Sequence, residues 1–441
     1  MNTRARDRIL AEFSRGAPLL PGTRLPWLIR ARQAALERFA DHGFPTTRDE
    51  DWKYTSVAAI EKRNFAVLPP GTDGVTASEV GALRLGSASD HLLVFVNGWY
   101  APALSSVGQL PAGVIAGSLA DALDSAREAL EPLFADGSDE TVLGALNAAF
   151  MTDGAFLHLP GGAAIDEPVH LLFIATNASA AIHPRNVIVA AHGAHATVIE
   201  HYAGPAGVAY FTNAVTRIIA RDNAAVEHYK LQQEGEQALH IAGIHVAQGR
   251  ASRFASHSIA LGAALARNDI ATTFAAEGCQ ATLNGLYLTG GRQHVDHHTR
   301  IDHAKPGGTS REHYRGILDG ASRAVFSGRV IVHKDAQRTD AHQDNHNLLL
   351  SKHAEVDTKP QLEIYADDVK CTHGATVGNL DEAQMFYLRS RGIEEAMAKS
   401  LLVRAFAHDV IECLRIAPLR NLLQETLLRR LPQEERIEEL A

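Results

Sequence analysis

The segment HGAHATVIE (192–200) is followed by DNAAVEHYK (222–230), QGRASRFAS (248–256) and EGCQATLNG (277–285). Each joins a polar or glycine pair to a small residue and then to a short strand-like run. The form returns in DGASRAVFS (319–327), KDAQRTDAH (334–342), KHAEVDTKP (352–360) and DDVKCTHGA (367–375). The small residue falls at Ala194, Ala224, Ala251, Cys279, Ala321, Ala336, Ala354 and Val369, with gaps of 30, 27, 28, 42, 15, 18 and 15. Spacings near 15 and near twice 15 are those of half-coils and full coils in a flattened solenoid. A small residue at each corner lets successive coils stack and share one continuous core. The gap of 42 predicts an irregular coil or insertion, and GGRQHVDHHTRIDHAKPGGTS (290–310), rich in Gly, Pro and charge, is where it is expected.

Around this repeat the chain divides into three. Region 155–380 is built of short alternating runs such as HLLFIAT (170–176), RNVIVAA (185–191), GRVIVH (328–333) and QLEIYA (361–366), punctuated by turn residues. The fold class expected is mainly β: a right-handed parallel β-helix, or flattened solenoid, flanked by helical regions. Region 1–154 reads as mainly helical. ARQAALERFADHGF (31–44) has Ala and Leu at helical spacing, and Gly43 and Pro45 end it. Further helical stretches cover about 118–134 and 141–150, with strand-like LLVFVNGWYAPAL (92–104) between. Region 381–441 is helical again. Asp381 caps EAQMFYLRS, a second helix runs from Glu394 until Pro418 breaks it, and LRNLLQETLLRRL forms the last. An open solenoid end needs cover, so this tail reads either as a cap or as a docking surface for a partner.

The composition, 46% hydrophobic and 21% charged over 441 residues, is that of a globular chain with a sizeable core. A net charge of −9 argues against non-specific nucleic-acid binding. Three cysteines far apart, Cys279, Cys371 and Cys413, form no disulfide framework and point to a reducing compartment. The first residues carry several charges and no long apolar run, and no stretch approaches the roughly 18 apolar residues of a membrane span. A cytoplasmic protein without membrane contact is expected.

Histidine is over-used: 23 residues, ten of them between His294 and His373. His294, His297, His298 and His303 superficially resemble a metallohydrolase cluster. Their spacing matches no HExxH-type motif, and solvated loop histidines are the plainer reading. On a strand, Cys371 and His373 would point the same way, giving a thiolate and imidazole suited to iron, zinc or an iron–sulfur cluster. Two ligands do not close a tetrahedral site, so another loop or another chain must supply the rest. The plain alternative is a buried inert cysteine beside a hydrogen-bonded histidine. No phosphate-cradling GxxxxGK[ST], dinucleotide GxGxxG, nucleophile elbow GxSxG or paired CxxC occurs. No self-contained active site is evident, and an enzyme is not expected.

ADDVKCTHGATVGNLDEAQMFYLRSRGI (366–393) closely resembles the signature of the SufB/SufD family of the SUF iron–sulfur assembly system, and GFPTTRDEDWKYTS (43–56) resembles the N-terminal signature of its SufD branch. The likeness spans nearly the whole chain. It implies a non-catalytic scaffold that pairs with a SufB-like paralogue through the β-helices and binds a SufC-like ATPase through the C-terminal helices, with a homodimer possible in isolation. It also implies a link to iron acquisition. The shared interface would hold a transient iron–sulfur cluster, with none bound stably by this chain alone. His373 matches the family's interface histidine. Cys371 matches a nearby cysteine and is the weaker candidate. Phe386, Tyr387 and Leu388 are candidate partner-binding residues; simple core is their plain alternative. The clustered N-terminal cysteines of SufB-like proteins are lacking, and His408 and Glu412 need not match their C-terminal ligands. Two competitors stand beside this reading: a purely architectural solenoid that docks an ATPase, and a metal-dependent enzyme built on the 294–303 histidines.

Overall fold

The computed structural model of the chain describes residues 3–71, 74–86, 90–135 and 141–430. The last part of the expected C-terminal region, 431–441, lies outside the described residues. The structure is a β-solenoid of about eight turns with helices at both ends. Each coil contributes one strand to a first sheet and one to a second. The main run of the first sheet is Val169–Ile174, His195–Ala203, Ala225–Gln233, Arg253–Ala260, Gln280–Thr289, Thr309–Leu318, Thr339–Leu349 and Val369–Gly378, all parallel. The second runs from Ala155–Leu159 through Arg185–Ala190, Phe211–Ala220, Leu239–Gln248, Leu265–Phe274, His294–His303 and Arg323–Val332 to Glu355–Ile364, also parallel.

The stacking register explains the sequence repeat and corrects one expectation. Ala225, Arg253, Gln280, Thr309, Asp340 and Lys370 stand one above another, with gaps of 28, 27, 29, 31 and 30. There is no insertion at 290–310: His294–His303 is a regular ten-residue strand. Cys279 instead recurs one coil later as Gly308, where an added Cβ would lie 2.7 Å from His303 Nδ1 and from the Phe274 ring. Glycine replaces the small residue because that corner has no room for a methyl group, so the gap of 42 is one coil plus a half-coil.

The lumen is packed by both sheets. Phe95, Phe173 and Tyr202 stack face to face with centroids 4.8 Å apart at each step. Tyr314 and Tyr287 lie over Gly285 and Gly316 of the neighbouring strand, where an added Cβ would meet each ring at about 2 Å. The other end of the first sheet is closed by His91–Val96, which turns through Asn97-Gly98 into antiparallel Trp99–Tyr100. Both turn residues have positive φ, 49° and 88°, as a two-residue hairpin turn of type I′ requires.

Helices cover the outer faces. On the second sheet, Leu36 and Phe39 of helix Pro26–His42 and Phe150 of helix Val142–Phe150 pack with Phe211, Leu239 and Leu265. Buried Arg32 donates to the Ala149 and Met151 carbonyls, satisfying acceptors at the end of helix Val142–Phe150. On the first sheet, Val403, Ala407, Val410, Leu419 and Leu423 cover Leu231, Ile259, Leu286 and Ile317. The tail therefore lies along a face of the solenoid. Helix Glu395–Glu412 ends before Pro418, which instead sits in the first turn of helix Ala417–Arg429, where its missing N–H costs nothing.

The last coil is left open. Val369–Gly378 and Glu355–Ile364 each pair with one neighbour only, and neither strand has a buried residue. Among the described residues nothing pairs with their outer edges.

Candidate functional site at the open end

Cys371 and His373 lie on that terminal strand, in register with Ala341 and Gln343 of the strand behind. Cys371 is half-buried against the small cluster of Val330, Val332, Ala336, Ala341 and Ala366, which marks its side as the lumen side. His373, two residues on, falls on the same side and is exposed. Burial pushes the Cys371 thiol up, so it stays protonated until a cation or partner group compensates the thiolate. Among the described residues no group of three or more His, Cys, Asp and Glu is set to hold a metal ion. Cys371 and His373 gain no third ligand from this chain's described part.

The opposite side of the same strand is latched. Thr372 Oγ1 lies 2.6 Å from His342 Nδ1, and Thr376 Oγ1 lies 2.7 Å from His346 Nδ1. His342 Nε2 in turn meets Asp344. These outer-face contacts hold the edge strand in register without using the lumen-side residues.

Behind His373 the lumen is polar. Gln343 is buried and its Nε2 donates to Glu312 Oε2, which also accepts from Thr299 Oγ1 at 3.1 Å. Burial pushes the Glu312 carboxyl up to about 7. Because its folded value lies above the unfolded one, native Glu312 holds a proton that the unfolded chain releases. That stabilisation is complete below about pH 4.5 and is lost as pH rises through 7. Glu312→Gln is expected to flatten this loss by on the order of 1–3 kcal/mol. Urea unfolding of both proteins at pH 5 and pH 8 measures it; an equal loss in both would show that Glu312 is not its source.

Deeper still lies a buried charged network. Glu200 accepts from Thr216 Oγ1 at 2.6 Å and Tyr202 Oη at 2.8 Å, with His228 Nε2 at 3.1 Å. Lys230 Nζ is 2.8 Å from His240 Nε2, and His240 Nδ1 lies 2.7 Å from Glu234. Burial lowers Lys230 to about 8, against the pull of both carboxylates.

The 294–303 histidines are neither solvated nor in a loop. They alternate across one strand: His297 and His303 face the lumen and are buried, while His294 and His298 face outward. Side chains on opposite faces of a sheet cannot converge on one ion. The outward pair belongs instead to the docking of the 43–56 motif. Asp296, between them, accepts from Thr55 Oγ1 at 2.5 Å and Arg267 Nη1 at 2.9 Å, and His298 Nε2 is 3.1 Å away. Trp52 lies 3.8 Å from the Arg267 guanidinium, and Lys359 of the last coil pairs with Glu50. The motif is thus a strap across the second sheet. Its role is not visible in the sequence, where nothing links residue 55 to 296.

Phe386 and Tyr387 are 74% and 57% exposed, on helix Glu382–Ser390, which has no buried residue. They are not core. Leu388, on the same helix, is not buried either.

These features define a class: a parallel β-solenoid with helical ends, whose ligand-type residues stand on an unpaired edge and not in an enclosed pocket. Residues 5–171 match the SufBD protein N-terminal region, and residues 173–406 match the SufBD core domain of SUF-system FeS cluster assembly. The chain is 33% identical over 404 residues to the iron–sulfur cluster assembly protein SufD of Escherichia coli, covering 91% of this chain and 92% of that one. It is 34% identical over 418 residues to an iron–sulfur cluster assembly SufBD family protein of Synechocystis, covering 92% of each. With SufD of Bacillus subtilis it shares 28% over 426 residues, 92% of this chain and 94% of the relative. The chain belongs to the SufBD family of the SUF iron–sulfur cluster assembly system. Among the described residues no helix is long and apolar enough to cross a membrane.

Proposed function

We propose that this chain is a non-catalytic, cytoplasmic scaffold subunit of the SUF assembly complex. It pairs through the open end of its solenoid with a SufB-like paralogue and holds a SufC-like ATPase through the region 381–441. Cys371 and His373 supply one side of a shared site for iron or a nascent cluster, which is cargo and not a resident cofactor. The region 155–380 is the rigid wall that presents them, and 1–154 braces it. The observation that carries this reading is the uncovered terminal coil, a strand edge free to pair, with two ligand-type side chains on its lumen side. One chain offers half a site there, and a partner strand would both satisfy the edge and bring the missing ligands.

The exposed aromatic pair on helix Glu382–Ser390 gives the ATPase an anchor, since buried aromatic anchors dominate interface energies. Phe386→Ala with Tyr387→Ala is expected to weaken ATPase retention by about 2 kcal/mol or more, roughly 30-fold in Kd, without changing the unfolding midpoint. Co-purification from cells expressing all three subunits reads this. Loss of the ATPase with the paralogue retained supports the assignment; an unchanged ATPase yield removes these residues from it.

A further inference from the structure

We infer that Gln343 positions His373, accepting one ring N–H through its side-chain carbonyl and so leaving the other ring nitrogen as a free acceptor aimed off the end of the solenoid. This rests on the proposed role of His373. Gln343 is fully buried, and its Nε2 is committed to Glu312, but its Oε1 has no hydrogen-bond partner. An acceptor left unpaired in a closed interior is destabilising, so such an atom calls for a donor.

The stacking register limits where the donor can come from. One coil back stands Glu312, whose Oε2 takes the Gln343 Nε2–H and whose Oε1 makes no hydrogen bond to Gln343 Oε1. Across the lumen the Gln343 amide lies over Gly328, where an added Cβ would fall 2.1 Å from its Nε2. The next residue in that column is Pro360, in register with Gly328. Neither glycine nor proline has a side-chain donor. One coil forward stands His373, on the same lumen side, one strand spacing of about 4.8 Å away. It makes no side-chain hydrogen bond to the described residues. Gly328 makes the room that lets the amide sit between Glu312 and His373, and a side-chain rotation of the exposed ring brings its N–H to Oε1.

The chemical consequence is a fixed tautomer. A free imidazole exchanges its proton between both nitrogens. A histidine that binds a metal presents one nitrogen as a lone pair and donates the other N–H to a carbonyl or carboxylate, which sets orientation and raises basicity. Glu312 contributes by holding the Gln343 amide so that its carbonyl, and not its NH₂, faces the open end.

The test uses the full chain labelled with ¹⁵N in its histidine rings, at one pH where His373 is neutral. The His373 signals are identified by their loss in His373→Asn. The wild type is expected to show one pyrrole-type and one pyridine-type nitrogen. Gln343→Met is expected to collapse them toward the averaged values of a free ring, and to slow cluster formation in the assembled complex roughly 10–100-fold. Exchanging the two side chains, Glu312→Gln with Gln343→Glu, keeps an acceptor facing His373 and should restore the split. Averaged signals in the wild type would overturn the inference, whether or not Gln343→Met folds, and so would signals unmoved by Gln343→Met. A split that depends on Gln343, with normal cluster formation by His373→Ala, would uphold the contact and overturn the role proposed for His373.

Discussion

His373→Ala is expected to lower cluster formation by the assembled complex at least tenfold while leaving the chain folded, its unfolding midpoint lowered by no more than about 3 °C. The two halves of this expectation have separate causes. The ring is exposed, on a strand that pairs on one side only, so its removal opens no cavity, and the one buried group it leaves without a donor is Gln343 Oε1. The strand itself is held by its backbone ladder and by the Thr372–His342 and Thr376–His346 latches on the other face. Cluster formation, in contrast, would lose a ligand at the proposed shared site, to which this chain offers only Cys371 and His373. Cys371→Ser should cost less, because its thiol is protonated and half-buried in the free chain. Reconstitution with purified paralogue and ATPase, followed by absorbance of the cluster, measures both. Wild-type yield from His373→Ala, with intact complex, would leave the solenoid as architecture alone.

The second large effect is on stability. Asp296→Ala is expected to destabilise the fold by about 2–3 kcal/mol, because the buried Arg267 guanidinium loses one of its two carboxylates and keeps only Asp269. Arg267 is 3% and Asp296 1% exposed, and Thr55 would lose its acceptor as well. The same pair sets an acid limit. Burial opposes ionisation of Asp296, but His298 and Arg267 outweigh it and hold the carboxyl below its ordinary range. Its folded value is thus depressed, so its stabilisation is present above about pH 4 and is lost as pH falls further. Urea unfolding between pH 3 and pH 7 should show a steep acid loss in the wild type and a shallower one in Asp296→Ala. Parallel curves would mean that other carboxylates control acid unfolding. Because the strap also reaches Lys359 on the last coil, its release is expected to loosen the open end.

The coiled architecture was legible because corner spacing is a one-dimensional property: stacking forces every coil to the same length, and 27 to 31 residues per coil shows as a period. The slip at 290–310 came from reading composition where register decides. Gly307, Gly308 and charged residues look like a loop, yet here glycine is the corner and the charges alternate across a strand. Faces were harder to read than strands. In HATVIEHYA (195–203), Ile199 faces outward and is buried by the C-terminal helices, while Glu200 faces inward and is buried in a hydrogen-bonded network. When both faces are covered, alternation no longer separates core from solvent. The candidate site was legible as a pair, since Cys371 and His373 are two apart on one strand. Gln343 and Glu312 behind it were not, because they are neighbours only through stacking, 30 and 61 residues away in the chain.

The central claim is that the terminal strand edge is where another chain adds on. Amide hydrogen exchange across 355–378, compared between the monomeric chain and the chain saturated with its SufB-like paralogue, addresses it directly. Fast exchange is expected for outward-facing amides of Val369–Gly378 in the monomer and strong protection in the complex, with the earlier coils unchanged. Equal exchange of that strand in both states, with protection appearing elsewhere, would contradict it.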